Sequence, residues 1–342
     1  VIAGANLRIL FVGDLTTGGN ACSLVNGFRN LELNIRTVDT SSYERKSIGS
    51  KEWFYHKMFQ QPSKSWENVF RQRLQEVVSG WIPDVLFCIK TIHIPQAILH
   101  SIPCNLRVHL SFDDVSNLSN LTRDYLQFER SWDIIFTSKI FNVPELQKRT
   151  KSQIEYFDNA FDEKLHFPSI RFSERKWDVG FVGAHRPDRH NLPNLLIDAG
   201  IRRPVIAGPR WRRFYPFGVR GVDLLPELFG NAYTDLGNQI KLGLCLLNSD
   251  NRDQITMRSY ELPALGQLVV GLETDQHLDL LENQKEAFWF KTLDEILQFG
   301  GEFQYRQSEF ADIALAGTRR ILGGKNTYTD RARTMYTTFD QV

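Results

Sequence analysis

At 342 residues and 39.6 kDa, the chain is about twice the ~150 residues of an ordinary domain, so two domains with separate cores are expected. Its 41 Lys and Arg against 40 Asp and Glu leave a net charge of +1. That balance argues against a dedicated nucleic-acid binder, whose phosphate contacts need a basic excess.

The first element is a buried strand. Leu7 to Val12 is apolar apart from Arg8, ends in Gly13, and runs into a loop with Gly18 and Gly19. A helical pattern through Leu24, Val25 and Phe28 follows, and then the alternating run Leu33 to Asp39. Strand, Gly-rich loop, helix and strand form the first half of a doubly wound sheet. The segment 41–80, with Trp53, Phe54, Tyr55 and Phe59, reads as helical and aromatic-rich. Further buried strands are predicted at 85–89, 106–110 and 132–137. Between Phe157 and Arg175 the sequence loses any period and reads as a connector. The rhythm restarts with Trp177 to Gly183, a second strand ending in glycine, and continues at 205–208, 242–247 and 268–271. The expected fold class is α/β, with two Rossmann-like domains in tandem.

Four places could carry chemistry. The loop through Gly13, Gly18 and Gly19 is not G-x-G-x-x-G, so a dinucleotide site there is not expected. After the strand at 106–110 stand Asp113 and Asp114, either of which could orient a hydroxyl or act as a general base, or else cap the next helix. His93, past the strand at 85–89, and His109 could touch a sugar; both equally suit a satisfied edge or core position.

The third place follows Gly183, whose missing side chain permits close backbone approach. A helix starting near Asn191 would add N–H groups, and Arg186 or Arg189 a guanidinium suited to a diphosphate; the alternative is a solvated basic loop. The fourth is Asp253 to Gly266. Asp253 is read as an N-cap and Gly266 as the residue that ends the helix. Arg258 and Glu261, three apart, share one helical face. An ionised Glu261 can accept hydrogen bonds from two ribose hydroxyls, with Arg258 either its partner or a phosphate ligand.

The ordered set Asp178 to Gly183, Arg189, Arg258-Ser259-Tyr260-Glu261-Leu262-Pro263-Ala264-Leu265-Gly266, Lys285 to Phe288 and Thr327 to Ala332 resembles the GT-B glycosyltransferases of the spore-maturation CgeB-like group. These are distant relatives of the retaining enzymes with a Glu-x7-Glu motif. The resemblance implies a GT-B fold, with its two domains facing across a cleft. An N-terminal acceptor domain over 1–170 and a nucleotide-sugar domain over 171–325 are expected, with a final helix, 326–342, crossing back onto the first. Glu261 takes the place of the motif's second glutamate, which binds ribose. Eight residues upstream stands Asp253, where the motif has the glutamate that meets the donor sugar. Leu225 to Asn231, including Phe229, would lie near the base.

The expected activity is transfer of a sugar from a UDP-, GDP- or dTDP-sugar to a glycan, a lipid-linked saccharide or another hydroxyl. No Asp-x-Asp has metal-site context, so chemistry without a metal or other cofactor is expected. A GT-B epimerase and a non-catalytic nucleotide- or glycan-binding protein are the alternatives. Six arginines between Arg202 and Arg220, interleaved with Trp211, Phe214 and Tyr215, could dock an anionic acceptor or a membrane surface, or be a solvated loop. Cys22, Cys88, Cys104 and Cys245 form no Cys-x-x-Cys or Cys/His cluster, which excludes a zinc ribbon and fits reduced thiols in the cytoplasm. No run approaches the ~18 apolar residues of a membrane span, and residues 1–6 lack a secretory pattern. Any membrane contact is expected to be peripheral, at the inner face.

Overall fold

The computed structural model describes residues 7–44, 50–59 and 62–339. The residues 1–6 weighed as a leader, part of the segment 41–80 and the end of the range 326–342 expected as a final helix lie outside them. The chain divides into two compact units. The first runs to Asp158 and includes Asp250–Arg252 and the chain from Tyr328; the second is Asn159–Ser249 with Asp253–Thr327.

The first unit carries a six-stranded parallel sheet: β1 (Arg8–Gly13), β2 (Asn34–Asp39), β3 (Val85–Ile89), β4 (Leu106–Ser111), β5 (Ile134–Thr137) and β6 (Gln153–Tyr156), in the order β2-β1-β3-β4-β5-β6. Crossover helices cover both faces of a parallel sheet, which is why its central strands are apolar without alternation. On one face Leu10, Val12, Leu86 and Cys88 pack with Ile98, Leu99 and Trp132. On the other, Phe11, Phe28, Phe87, Phe136 and Phe339 form a chain of ring contacts. The segment 41–80 forms helices at Ser41–Glu44, Lys51–Phe59 and Lys64–Val78.

The second unit repeats the plan with β7 (Trp177–Val182), β8 (Pro204–Ala207), β9 (Asp223–Leu225), β10 (Ile240–Cys245), β11 (Leu268–Leu272) and β12 (Phe288–Phe290), all parallel and in the order β12-β11-β10-β7-β8-β9. Read from β9, this is the order of the dinucleotide-binding fold, whose direction of winding reverses between β7 and β10. Ligands of such sheets bind at the carboxyl ends of the two strands flanking that reversal. β6, β9 and β12 have no counterpart in the sequence reading. Each closes one edge of its sheet, and β9 and β12 are only three residues long, too short for a periodicity to register.

The junction lies at Asp158 and Asn159 rather than near residue 170, because the connector packs into the second unit. Phe161 is buried with Cys245, Ile255 and Trp289, and the Thr234 hydroxyl donates to the Leu165 carbonyl at 2.9 Å. Among the described residues no helix is long and apolar enough to cross a membrane.

Candidate functional site

The short helix Arg258–Ala264 stands in the connection that leaves the carboxyl end of β10. It begins later than the sequence suggested. Asp253 does not cap it: one Asp253 oxygen accepts the Asn248 N–H at 3.3 Å within the preceding loop, and Met257 occupies the cap position without a side-chain bond. The end is sharply defined. Gly266 has φ +74°, with its N–H on the Pro263 carbonyl at 2.9 Å and the Gln267 N–H on the Leu262 carbonyl at 3.1 Å, the Schellman pattern that only a left-handed residue closes cheaply.

Glu261 is the centre of this helix's polar face and is 4% exposed. Its Oε2 accepts from the Tyr233 hydroxyl and from Arg258 Nη1, both at 2.9 Å. Arg258 Nε donates to the Val182 carbonyl at 3.1 Å, so this one guanidinium joins the helix after β10 to the end of β7, across the reversal point. Oε1 faces His166 Nε2 at 3.9 Å. His166 Nδ1 accepts the Asp162 N–H at 3.0 Å, which puts the neutral ring's proton on Nε2, toward Glu261. Burial pushes the His166 pKa down, partly countered by Glu261. Burial, and then the charge of Glu261, raise the Tyr233 hydroxyl well above its usual value.

Contacts from neighbouring elements hold the helix. The Ser259 hydroxyl lies 2.8 Å from His277 Nε2, and His277 Nδ1 lies 2.7 Å from the Leu272 carbonyl. A carbonyl only accepts, so Nδ1 carries the proton and Ser259 donates to Nε2. Burial takes the His277 pKa down to about 4. At the other end, Arg175 donates to the carbonyls of Leu265 and Ile240, both at 2.8 Å. Burial takes its pKa down to about 10.

The loop after β7 departs from the sequence reading. Arg189 does not project from a solvated loop. It is 6% exposed, with Nη2 donating to the Leu247 carbonyl at 2.8 Å and Asn248 Oδ1 at 3.1 Å, and Nε to Asp188 at 3.1 Å. Its guanidinium thus ties the β7 loop to the loop leaving β10. At Gly183 the place of a side chain is taken by the ring of Phe181, 2.7 Å from where a Cβ would stand. The Gly183 carbonyl accepts the Trp211 indole N–H at 2.8 Å, and a Cβ at Gly208 would come within 2.1 Å of that oxygen. The glycines at the ends of these two strands let one loop approach the other. The loop before the helix Asn231–Asn238 holds Phe229, half-buried, and Asn231 is exposed at the helix's first position. The same helix delivers Tyr233 to Glu261.

In the first unit the two adjacent aspartates separate. Asp114 is 2% exposed. Arg252 grips both its oxygens at 2.6 and 2.8 Å, Asn142 Nδ2 donates at 2.9 Å, and the Ser116 N–H at 2.9 Å. Burial would raise its pKa, but the bonds from Arg252 and Asn142 outweigh it and hold the carboxyl below its ordinary range. Asp114 caps a turn and anchors Arg252. Asp113 is more open and pairs with Lys90 at 2.5 Å. His93 is half-buried in the loop after β3. His109 is a core residue at 0% exposure, with Nδ1 3.1 Å from the Tyr125 hydroxyl, and burial lowers its pKa to about 3.

Tyr233, His166 and Lys90 were not read from the sequence. Tyr233 stands two residues beyond Asn231 and could have been reached by following that helix. Nothing local marks His166.

Residues 189–337 match the family model described as glycosyl transferase-like. No curated protein matches the sequence. Solved structures similar to the whole chain include a sucrose-phosphate synthase (tll1590) from Thermosynechococcus elongatus, with TM-score 0.66, 10% identity, and 98% of this chain and 99% of that one covered. An alpha-glucosyltransferase in complex with UDP-glucose and DNA containing an abasic site gives TM-score 0.68 at 12% identity, over 98% and 99% of the two chains. The Anabaena protein Alr3699/HepE, in complex with UDP and glucose, gives 0.63 at 12%, over 98% and 100%. The fold is therefore the two-domain α/β fold of the GT-B glycosyltransferases.

Proposed function

We propose that this protein transfers a glycosyl group from a nucleoside-diphosphate sugar to an acceptor hydroxyl. The observation that carries this reading is the buried Glu261 carboxylate, paired with Arg258 and Tyr233 on a helix beside the reversal point of a doubly wound sheet. The glycosyl transferase-like match over the same region supports it. Two of the similar structures hold UDP-glucose or UDP with glucose, which favours a uridine donor over GDP- or dTDP-sugars.

In this reading Glu261 meets the ribose through Oε1, since Oε2 is already shared by Tyr233 and Arg258. Arg258 Nη2, which makes neither of the contacts above, neutralises charge that develops on the leaving diphosphate. Asp253 is assigned to the donor sugar, Phe229 and Asn231 to the base. Arg189 is assigned to positioning the two loops rather than to a phosphate. Asp113, rather than Asp114, takes the proton of the acceptor hydroxyl, with His93 beside the acceptor. The acceptor is a glycan or a lipid-linked saccharide, which would place the enzyme in polysaccharide biosynthesis.

A thermal-shift panel of UDP, GDP, dTDP and CMP tests the donor assignment. Binding at one hundred times Kd stabilises a protein by about 2.7 kcal/mol, so one nucleoside diphosphate should raise the unfolding temperature clearly. The matching sugar nucleotide should then release diphosphate only when an acceptor is added. Absence of any nucleotide-dependent shift rejects the reading. A shift with an epimerised sugar nucleotide and no transfer, or with no turnover at all, replaces it by an epimerase or a binding protein.

A further inference from the structure

Between Asp198 and Asp223 the chain carries six arginines and no aspartate or glutamate, although its overall charge is balanced. Arg202, Arg203, Arg210, Arg212, Arg213 and Arg220 are all exposed. Arg212 donates to the Leu224 carbonyl at 3.1 Å, and Arg203 lies 3.8 Å from Asp178. Among the described residues, Arg210, Arg213 and Arg220 have no carboxylate partner. Charges of one sign at this density repel one another, and a loop that only needed solubility would mix signs.

The same segment presents an aromatic ring to solvent in a defined position. Tyr215-Pro216-Phe217-Gly218 is a β-turn closed by the Gly218 N–H on the Tyr215 carbonyl at 3.0 Å. Pro216 presets the second position, and Gly218 takes φ +74°. The turn is bolted to the unit behind it. The Tyr215 hydroxyl donates to the His190 carbonyl at 2.7 Å, its N–H to the Trp211 carbonyl at 2.9 Å, and Trp211 is fully buried. Phe214 is half-exposed and stacks on His185 at 3.9 Å. Phe217 at the tip is wholly exposed, at 101%. A rigid turn that offers a large apolar ring to water gains nothing from it in the isolated protein.

We propose that this turn is a membrane anchor: Phe217 inserts at the headgroup boundary of an anionic bilayer while the surrounding arginines bind its lipid phosphates. Stable peripheral binding needs two signals, apolar insertion and a basic patch, because either alone is weak. Both are present on the connection between β8 and β9, which carries Phe217 with Arg210, Arg212, Arg213 and Arg220; Arg202 and Arg203 stand before β8, at the strand's other end. A nucleic acid or acidic glycan would satisfy the arginines and leave the ring at the tip in water, whereas a bilayer takes up both. The inference stands independently of the sugar-transfer reading.

Co-sedimentation of the full chain with phosphatidylcholine vesicles, with and without phosphatidylglycerol, tests it. Binding is expected only to the anionic vesicles and should weaken as salt screens the arginines. Each of Arg213→Gln and Arg220→Gln should lower partitioning about fivefold. Phe217→Ser should lower it about tenfold at unchanged charge. All three side chains are exposed, so their unfolding temperatures should equal that of the parent, which separates loss of binding from loss of fold. Equal binding to both vesicle types, or anionic binding that the three variants leave unchanged, overturns the proposal. So does retention on heparin or single-stranded DNA that the arginine variants abolish, if the vesicles themselves do not bind.

Discussion

The Glu261 carboxylate divides its work between two oxygens: Oε2 holds Tyr233 and Arg258, while Oε1 faces the His166 proton. Charge-assisted hydrogen bonds contribute roughly 1.5–3 kcal/mol each. Glu261→Gln keeps the size but loses the charge, so affinity for the cognate ribonucleotide should fall about tenfold or more. A 2′-deoxy nucleotide should lose less. Tyr233→Phe leaves Oε1 untouched and should cost several-fold at most, equally for both nucleotides. Calorimetric titration of both variants with both nucleotides checks this; equal losses for Glu261→Gln would remove Glu261 from the ribose. The pairing of Arg258 with Glu261 was legible in the sequence because three residues along a helix bring side chains together whatever surrounds them. Tyr233 and His166 reach the carboxylate through the fold of the unit, and no local spacing encodes that. The same limit applies to Asp113 and Asp114: adjacency in sequence suggested similar roles, and only the structure showed that one of them is buried under the bidentate grip of Arg252.

The helix Arg258–Ala264 has seven residues and an internal proline, Pro263, too little to be stable alone. Its position therefore depends on contacts from outside it, and His277 is the one with a pH signature. The His277 pKa of about 4 lies below the ~6.5 of an unfolded histidine. Lowering the pH protonates the unfolded chain first, so the stability present above pH ~6.5 is lost as pH falls toward the folded value. At pH 5 this group alone should cost about 2 kcal/mol relative to pH 8. Urea unfolding at the two pH values should show a loss in the parent, to which buried His109 adds, that is about 2 kcal/mol smaller in His277→Gln. The variant's overall stability is lower because Trp289 loses the imidazole stacked on it and the Leu272 carbonyl its Nδ1 donor. The end of this helix was readable, since Gly266 is a left-handed position that sequence marks directly. Its start was not. An aspartate before a helical pattern is a good cap signal, but here Gln254–Met257 remain irregular, with the Gln254 carbonyl accepting from the Thr274 hydroxyl at 2.6 Å.

At the scale of the molecule, the chain returns to its first unit after completing the second. The helix Tyr328–Thr338 lies against Asn20–Arg29, with Phe339 stacked on Phe28. Gly27 permits the contact: a Cβ there would stand 2.4 Å from the Tyr328 carbonyl oxygen. Two effects compete in Gly27→Ala. Helix propensity favours alanine by roughly 0.5–1 kcal/mol, while overpacking against backbone costs typically ~1–3 kcal/mol. Backbone cannot rotate away as a side-chain tip can, so the steric cost should win and the midpoint of denaturant unfolding should fall. A midpoint that rises would show that the two helices separate easily.

The sequence by itself determined the class of fold and the number of units. Runs of Val, Ile, Leu and Phe spaced by helical patterns can bury both faces only in parallel sheets, and that constraint is local and repeated. It also singled out the helix with Arg258 and Glu261, because helical spacing and a left-handed glycine are properties of neighbouring residues. Tertiary structure alone decided the order of the strands, and with it the reversal between β7 and β10 that brings Val182, Arg258 and Glu261 together. It also decided which charged groups remain available. Arg189, Asp114 and His109 are ordinary polar residues in the sequence; only the fold buries them and supplies the partners that burial requires.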